Sequence, residues 1–154
     1  MELVVLIGLQ ASGKTTFRRS RFDATHAVVS KDLLRNNRRP QRRQMTLINE
    51  ALAAGRSVVV DNTNPRRLDR APIVTMGRAF GARIVGFFFS SRLEDSSQRN
   101  FTREGKERVP EVALRATATI LERPSRSEGF DELYFVKISS DDRFDVQLFV
   151  EDER

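Results

Sequence analysis

The chain of 154 residues is long enough for one compact domain, and its 39% hydrophobic and 31% charged residues exclude a disordered or fibrous class. Twenty-seven Lys and Arg against twenty-one Asp and Glu leave a formal charge of +6, which favours an anionic partner but by itself suits a solvated basic surface equally well. With no cysteine there is no disulfide, thiolate metal site or cysteine nucleophile; with no signal-like start and no membrane-length apolar run, the expectation is a cytoplasmic protein without a membrane partner, one domain over 1–154.

The first predicted element is a strand over Leu3–Ile7, a continuous apolar run of the kind that suits a strand covered on both faces. Gly8-Leu9-Gln10-Ala11-Ser12-Gly13-Lys14-Thr15 follows and matches the pattern G-x-x-x-x-G-K-[ST], with a helix predicted over Lys14–Arg21 behind it. Glycines let such a loop curl so that successive backbone N–H groups point inward, and the helix start adds partial positive charge. Triphosphate oxygens fit that nest: Gly8, Gln10, Ala11, Ser12, Gly13, Lys14, Thr15 and Thr16 are the nucleotide-binding candidates. Lys14 reaches the outer phosphates, and the Thr15 hydroxyl is the candidate Mg²⁺ ligand.

A second strand over Ala27–Val29 leads into Ser30-Lys31-Asp32-Leu33-Leu34-Arg35. At the carboxyl edge of the sheet Asp32 would stand where it can accept a hydroxyl proton, its alternative role being a helix cap. Residues 35–43 then hold five arginines in nine positions, Arg35, Arg38, Arg39, Arg42 and Arg43, either a track for a phosphate backbone or a solvated helix start after Pro40. A helix is predicted over Arg42–Ala54, stopped by Gly55, and a third strand over Val58–Val60 runs into Asp61-Asn62-Thr63-Asn64-Pro65. Asp61 is placed either to serve Mg²⁺ or to hold Arg35 by a charge-assisted pair; the bland alternative is an Asx-type turn closed by Pro65.

Helix Arg66–Phe80, strand Arg83–Phe89, helices Leu93–Arg103 and Glu111–Leu121, and strand Leu133–Ile138 complete the order, the signature of a parallel α/β sheet. Phe87-Phe88-Phe89 reads as core, His26 as a strand-edge residue, and Phe144–Val150 is open between strand and helix. Arg99 and Arg103, four apart on one helical face, are candidates to neutralise a phosphoryl group in transfer, or else a solvated basic face with Glu104 and Glu107.

Together, Gly8–Thr15, Asp32–Arg35, Asp61–Pro65, Arg99–Arg103 with Arg108-Val109-Pro110, and Glu128-Gly129-Phe130 resemble, in order, the 5′-hydroxyl polynucleotide kinase family. The resemblance implies a P-loop kinase fold: a parallel five-stranded sheet flanked by helices with a short Arg-rich lid. It implies ATP and Mg²⁺ at Lys14 and Thr15, Asp32 as general base on the 5′-hydroxyl of DNA or RNA, and Arg35 gripping a terminal phosphate with Asp61 orienting it. Arg38, Arg39 and Asn64 join the acceptor side, Arg99 and Arg103 are the lid arginines, and Ser125–Phe130 would line the adenine. The loop interior departs from the family, which more often has Pro-Gly in the middle. The wider group includes kinases of small metabolites and toxin-type sugar-nucleotide kinases, so a small-molecule kinase and a nucleotide-dependent switch stay open as alternatives.

Overall fold

The computed structural model describes residues 1–90, 92–105, 108–139 and 143–149. Strand β1 (Glu2–Ile7) is followed by helix α1 (Lys14–Arg21), β2 (Ala27–Val29), α2 (Pro40–Ala53), β3 (Val58–Asp61) and α3 (Arg67–Ala79). Then come β4 (Arg83–Phe89), α4 (Leu93–Thr102), α5 (Glu111–Ile120), β5 (Glu132–Ile138) and β6 (Phe144–Leu148). The strands form one sheet in the order β2-β3-β1-β4-β5-β6. All neighbours pair in parallel except β5 and β6, which are antiparallel with Ile138 opposite Phe144.

The sheet therefore has six strands where five were expected. Phe144, Val146 and Leu148 alternate with Asp145 and Gln147, the period of a strand with one apolar face, and only pairing with β5 decides it against a helix. The five parallel strands lie where the apolar runs predicted them. Pro40 occupies the first position of α2, where its missing N–H costs nothing. Pro110 caps α5, whereas Pro65 stands two residues ahead of α3.

Leu3, Val4, Val5, Leu6 and Ile7 are all fully buried, because β1 lies between β3 and β4 with apolar atoms on both faces. Leu3, Val5 and Ile7 pack with Ile48 and Leu52 of α2 and Ile73 and Val74 of α3. Val4 and Leu6 face the other way, toward Phe17, Phe22, Phe87, Phe89 and Val136. The aromatic edges there interlock: the Phe17 ring lies 5.1 Å from that of Phe89 and 5.2 Å from that of Phe144, both edge to face. The Phe run is core, as its composition suggests. His26 sits just ahead of β2 and shares a 2.8 Å hydrogen bond with Glu2.

The consequence for function is positional. Loops after β1, β2, β3 and β4 all leave the same carboxyl edge, and β1 stands where the strand order reverses direction, the place where open α/β sheets gather ligands. No helix among the described residues is long and apolar enough to cross a membrane.

Candidate active site

The loop after β1 has the backbone that phosphate binding requires. Gly8, Ala11 and Gly13 all have positive φ (151°, 59° and 98°), a curl that glycine adopts without strain and that Ala11 tolerates as a single left-handed residue. At Gly13 a second constraint applies: an added Cβ would fall 2.7 Å from Ile138 Cδ1 and 3.2 Å from Phe144 Cε1, so the β5–β6 hairpin closes the back of the loop. The Gly8 N–H donates to Thr63 O at 3.0 Å, tying the loop to the end of β3.

Lys14 is 7% exposed and its ammonium folds into the loop, donating to Gly8 O at 2.9 Å and Leu9 O at 2.5 Å. The cation is therefore held within the loop by the loop's own carbonyls. Burial lowers its pKa from the ordinary 10.5 to about 8; the Asp61 and Asp32 carboxylates oppose that fall and the Arg103 guanidinium reinforces it. Asp32, Asp61 and Arg103 are thus all within electrostatic reach of one amine, so the sequence-predicted residues from three separate loops converge.

That lowered value has a measurable consequence. Below pH 8 the amine is charged in folded and unfolded chains alike and the burial cost is carried in full; between pH 8 and 10.5 the unfolded chain binds more protons, so stability rises with pH. The gap corresponds to about 3 kcal/mol. Denaturant titrations of the nucleotide-free protein against Lys14→Met, from pH 7 to 10.5, should show wild type gaining by about that amount relative to the variant. Parallel pH curves would show that the amine is solvated.

Asp61 ends β3 and is 6% exposed. Its Oδ2 accepts from Thr15 Oγ1 at 3.0 Å and from Arg18 Nη1 at 3.0 Å, and Arg18 Nε in turn donates to Asp23 at 2.9 Å. The pair expected between Asp61 and Arg35 is therefore replaced: Arg18, one helical turn beyond Thr15, occupies the carboxylate, while Arg35 lies 3.7 Å from Asp32. Asp61 is thus tied to Thr15 and Arg18 of α1, and Arg35 to Asp32.

Ser30 caps the 3₁₀ turn Lys31–Leu34, its Oγ accepting the Asp32 N–H at 3.3 Å. Asp32 is thereby released from the capping role, and its side chain is 81% exposed beside Arg35. Asn62 holds this turn in place: its Oδ1 accepts the Lys31 N–H at 2.8 Å and its Nδ2 donates to the buried Gln44 of α2 at 2.5 Å. Sequence reasoning passed over Asn62 and Gln44, although a polar residue at the end of an apolar strand was a signal.

Asn64 is not presented to an acceptor. It is 4% exposed in a left-handed conformation (φ 44°), and its Nδ2 donates to Leu6 O at 2.7 Å, so it joins β3 to β1. Its carbonyl accepts from Arg70 at 2.9 Å. Arg70 is itself fully buried, and its guanidinium meets Glu128 at 2.8 and 3.1 Å. Nor does Ser125–Phe130 form an open adenine wall: Ser127 bonds Arg67, Gly129 bonds Arg78, and Phe130 is 3% exposed in the core, so the segment is a strap over α3.

From α4, Arg99 Nη1 reaches Ala11 O at 3.5 Å, which puts that helix beside the phosphate loop. Asn100 fixes the turn after α4 by exchanging hydrogen bonds with the Val109 backbone at 2.7 and 2.9 Å. Lys106 and Glu107 lie outside the described residues. Gln10 Nε2 donates to Thr117 Oγ1 of α5 at 2.9 Å, linking the loop to that helix, and its Oε1 is buried without a partner among the described residues. Thr16 is exposed on the first turn of α1, and Arg38 and Arg39 are exposed before α2.

A parallel sheet ordered 2-3-1-4-5, a lysine-bearing loop after β1, an acidic strand end at β3 and an arginine of α4 reaching that loop define a P-loop kinase domain. The chain belongs to the family described as AAA domain, whose model matches residues 3–124. Over 133 residues, 84% of its length, it is 29% identical to the bifunctional polynucleotide phosphatase/kinase of Schizosaccharomyces pombe, and it spans about a third (32%) of that protein. In fold it is similar to a gluconokinase from Sinorhizobium meliloti 1021 (TM-score 0.68, 20% identity, 90% of this chain and 83% of that one). It is also similar to a chain of the Pnkp1/Rnl/Hen1 complex (TM-score 0.57, 22% identity, 68% of this chain and 41% of that one).

Proposed function

We propose that the domain transfers the terminal phosphoryl group of ATP to the 5′-hydroxyl end of DNA or RNA. The observation that carries this reading is the exposed Asp32 carboxylate beside Arg35, within the electrostatic reach of Lys14 and at the start of the arginine run 35–43. The likeness to the bifunctional phosphatase/kinase supports a nucleic-acid acceptor.

The loop fits the nucleotide: its backbone is curled with Gly8, Ala11 and Gly13 at positive φ, and the Lys14 ammonium lies inside the curl. When bound, ATP with Mg²⁺ supplies the phosphoryl group and neutralises charge on it. Thr15 and Asp61 would hold the ion; Mg²⁺ takes few protein ligands and keeps phosphate oxygens and water for the rest. Asp32 accepts the proton of the acceptor hydroxyl as the hydroxyl oxygen bonds to the terminal phosphorus and the bond from that phosphorus to the departing ADP breaks. Arg35, Arg38 and Arg39 hold the acceptor's phosphates, and Arg99 and Arg103 offset charge on the phosphoryl oxygens. Arg99→Ala or Arg103→Ala should lower kcat on the order of 10³-fold, measured with saturating ATP; a drop under tenfold would remove that residue from the chemistry.

The likeness in fold to a gluconokinase supports a second reading, a small hydroxyl acceptor clamped by the same arginines. Labelled ATP offered to 5′-hydroxyl DNA and RNA oligonucleotides and to a panel of sugars and nucleosides decides between them. Label on the oligonucleotides is expected; label on a sugar or nucleoside alone overturns the preferred acceptor.

A further inference from the structure

Between α2 and α3 runs an open groove of about 650 Å³ whose lining includes Arg39, Arg42, Met45, Asn49, Glu50 and Met76. It starts at the amino end of α2, the end fixed to the carboxyl edge by the Asn62–Gln44 bond, and leads away from Asp32. We infer that this groove binds the continuation of a single-stranded acceptor, about four nucleotides beyond those held near Arg35. The inference rests on the polynucleotide reading and deepens it by making the substrate a strand rather than a terminal nucleotide.

Three observations converge on it. Arg38, Arg39, Arg42 and Arg43 form no ion pair with any described carboxylate, whereas Arg66, Arg67, Arg70, Arg78, Arg83 and Arg115 do. Unpaired guanidinium groups gain most from phosphate, which releases counterions from the strand. Arg42, Met45 and Asn49 follow at three- and four-residue spacing and share one face of α2, so cation, apolar surface and amide alternate along one line. Met45 and Met76 are partly buried against the core, which leaves polarizable thioether surface for a base to lie on while an arginine holds its phosphate.

Length and charge set the extent. From Arg39 to Asn49 is ten residues of helix, about 15 Å, the rise of about four stacked nucleotides. Glu50 stands at the far end and repels phosphate there, so the strand leaves the groove at that point. A dinucleotide reaches Arg35 but not Met76; an octanucleotide reaches both.

The test uses the full chain with 5′-hydroxyl dinucleotide and octanucleotide acceptors of the same 5′ sequence. Wild type should show a KM at least tenfold lower for the octanucleotide in low salt. Arg42→Ala and Met76→Ala should each erase most of that advantage, with Arg42→Ala lowering the salt slope of octanucleotide binding by about 0.7. A 4-thiouridine at the fifth position should crosslink to the α2 peptide containing Met45, a readout independent of turnover. Equal KM for the two lengths in wild type, or a crosslink elsewhere, overturns the groove while leaving the kinase reading intact. No label on any 5′-hydroxyl acceptor overturns both.

Discussion

Asp32→Asn should lower kcat for phosphoryl transfer by about 10³-fold while leaving the nucleotide Kd within about twofold. Asparagine preserves the shape of the side chain and its place beside Arg35 but cannot accept the acceptor's proton. Stability should hardly change, because the side chain is 81% exposed and its own N–H is satisfied by Ser30, not by its carboxylate. The pairing of intact binding with lost turnover is what separates an enzyme from a nucleotide-dependent switch, which would keep its role in the variant. Equilibrium nucleotide titration alongside single-turnover kinetics reads both halves. Turnover within tenfold of wild type would remove Asp32 from the role of base and, with it, the assignment of the acceptor to this edge of the sheet.

Glu128→Gln should cost about 3–5 kcal/mol, which for a chain of this size is a fall of roughly 10–15 °C in Tm. Arg70 has no exposed side-chain surface, and Glu128, 9% exposed, is the carboxylate that balances it through two hydrogen bonds. Glutamine keeps one acceptor, turns an N–H₂ toward the guanidinium and leaves the charge uncompensated. The same guanidinium donates to Asn64 O at 2.9 Å and Glu122 O at 3.2 Å, so its release would loosen the β3 loop that holds Gly8 through Thr63. Thermal denaturation of the variant, together with Arg70→Met/Glu128→Leu, tests the cause. The double variant should recover much of the loss, because it removes the buried charge along with its partner. If the single variant melts within about 3 °C of wild type, the pair is solvated rather than buried.

The parallel strands and the phosphate loop were legible because each rests on local pattern: continuous apolar runs for strands buried on both faces, and fixed glycine spacing for a curled backbone. Partners across the fold were not. Arg18 displaced Arg35 as the cation on Asp61 because α1 carries it one turn past Thr15 onto the same face, a proximity that appears only once β1 and β3 are paired. Asn64 reads as an acceptor contact in sequence and becomes a tie between strands, since a buried amide needs a partner and the Leu6 carbonyl supplies one beyond the end of β3. Glu128 looked like part of a ligand loop; the buried Arg70 on α3 claimed it. Charge counts do not foresee such pairs, because a fully buried arginine inside a helix pattern resembles any solvated one.

The last strand pair has a bearing on evolution of the loop that no residue of the loop itself reveals. Ile138 and Phe144 fill the space directly behind Gly13, and Phe144 also abuts Phe17 of α1. Clipping the molecule after β5, or trimming those two side chains, would let the cradle relax backward, and the defect would be recorded as weak nucleotide affinity. Mutational screens for lost affinity should thus recover positions in the hairpin that never approach the ligand, as a bookend determines where the volumes in front of it stand.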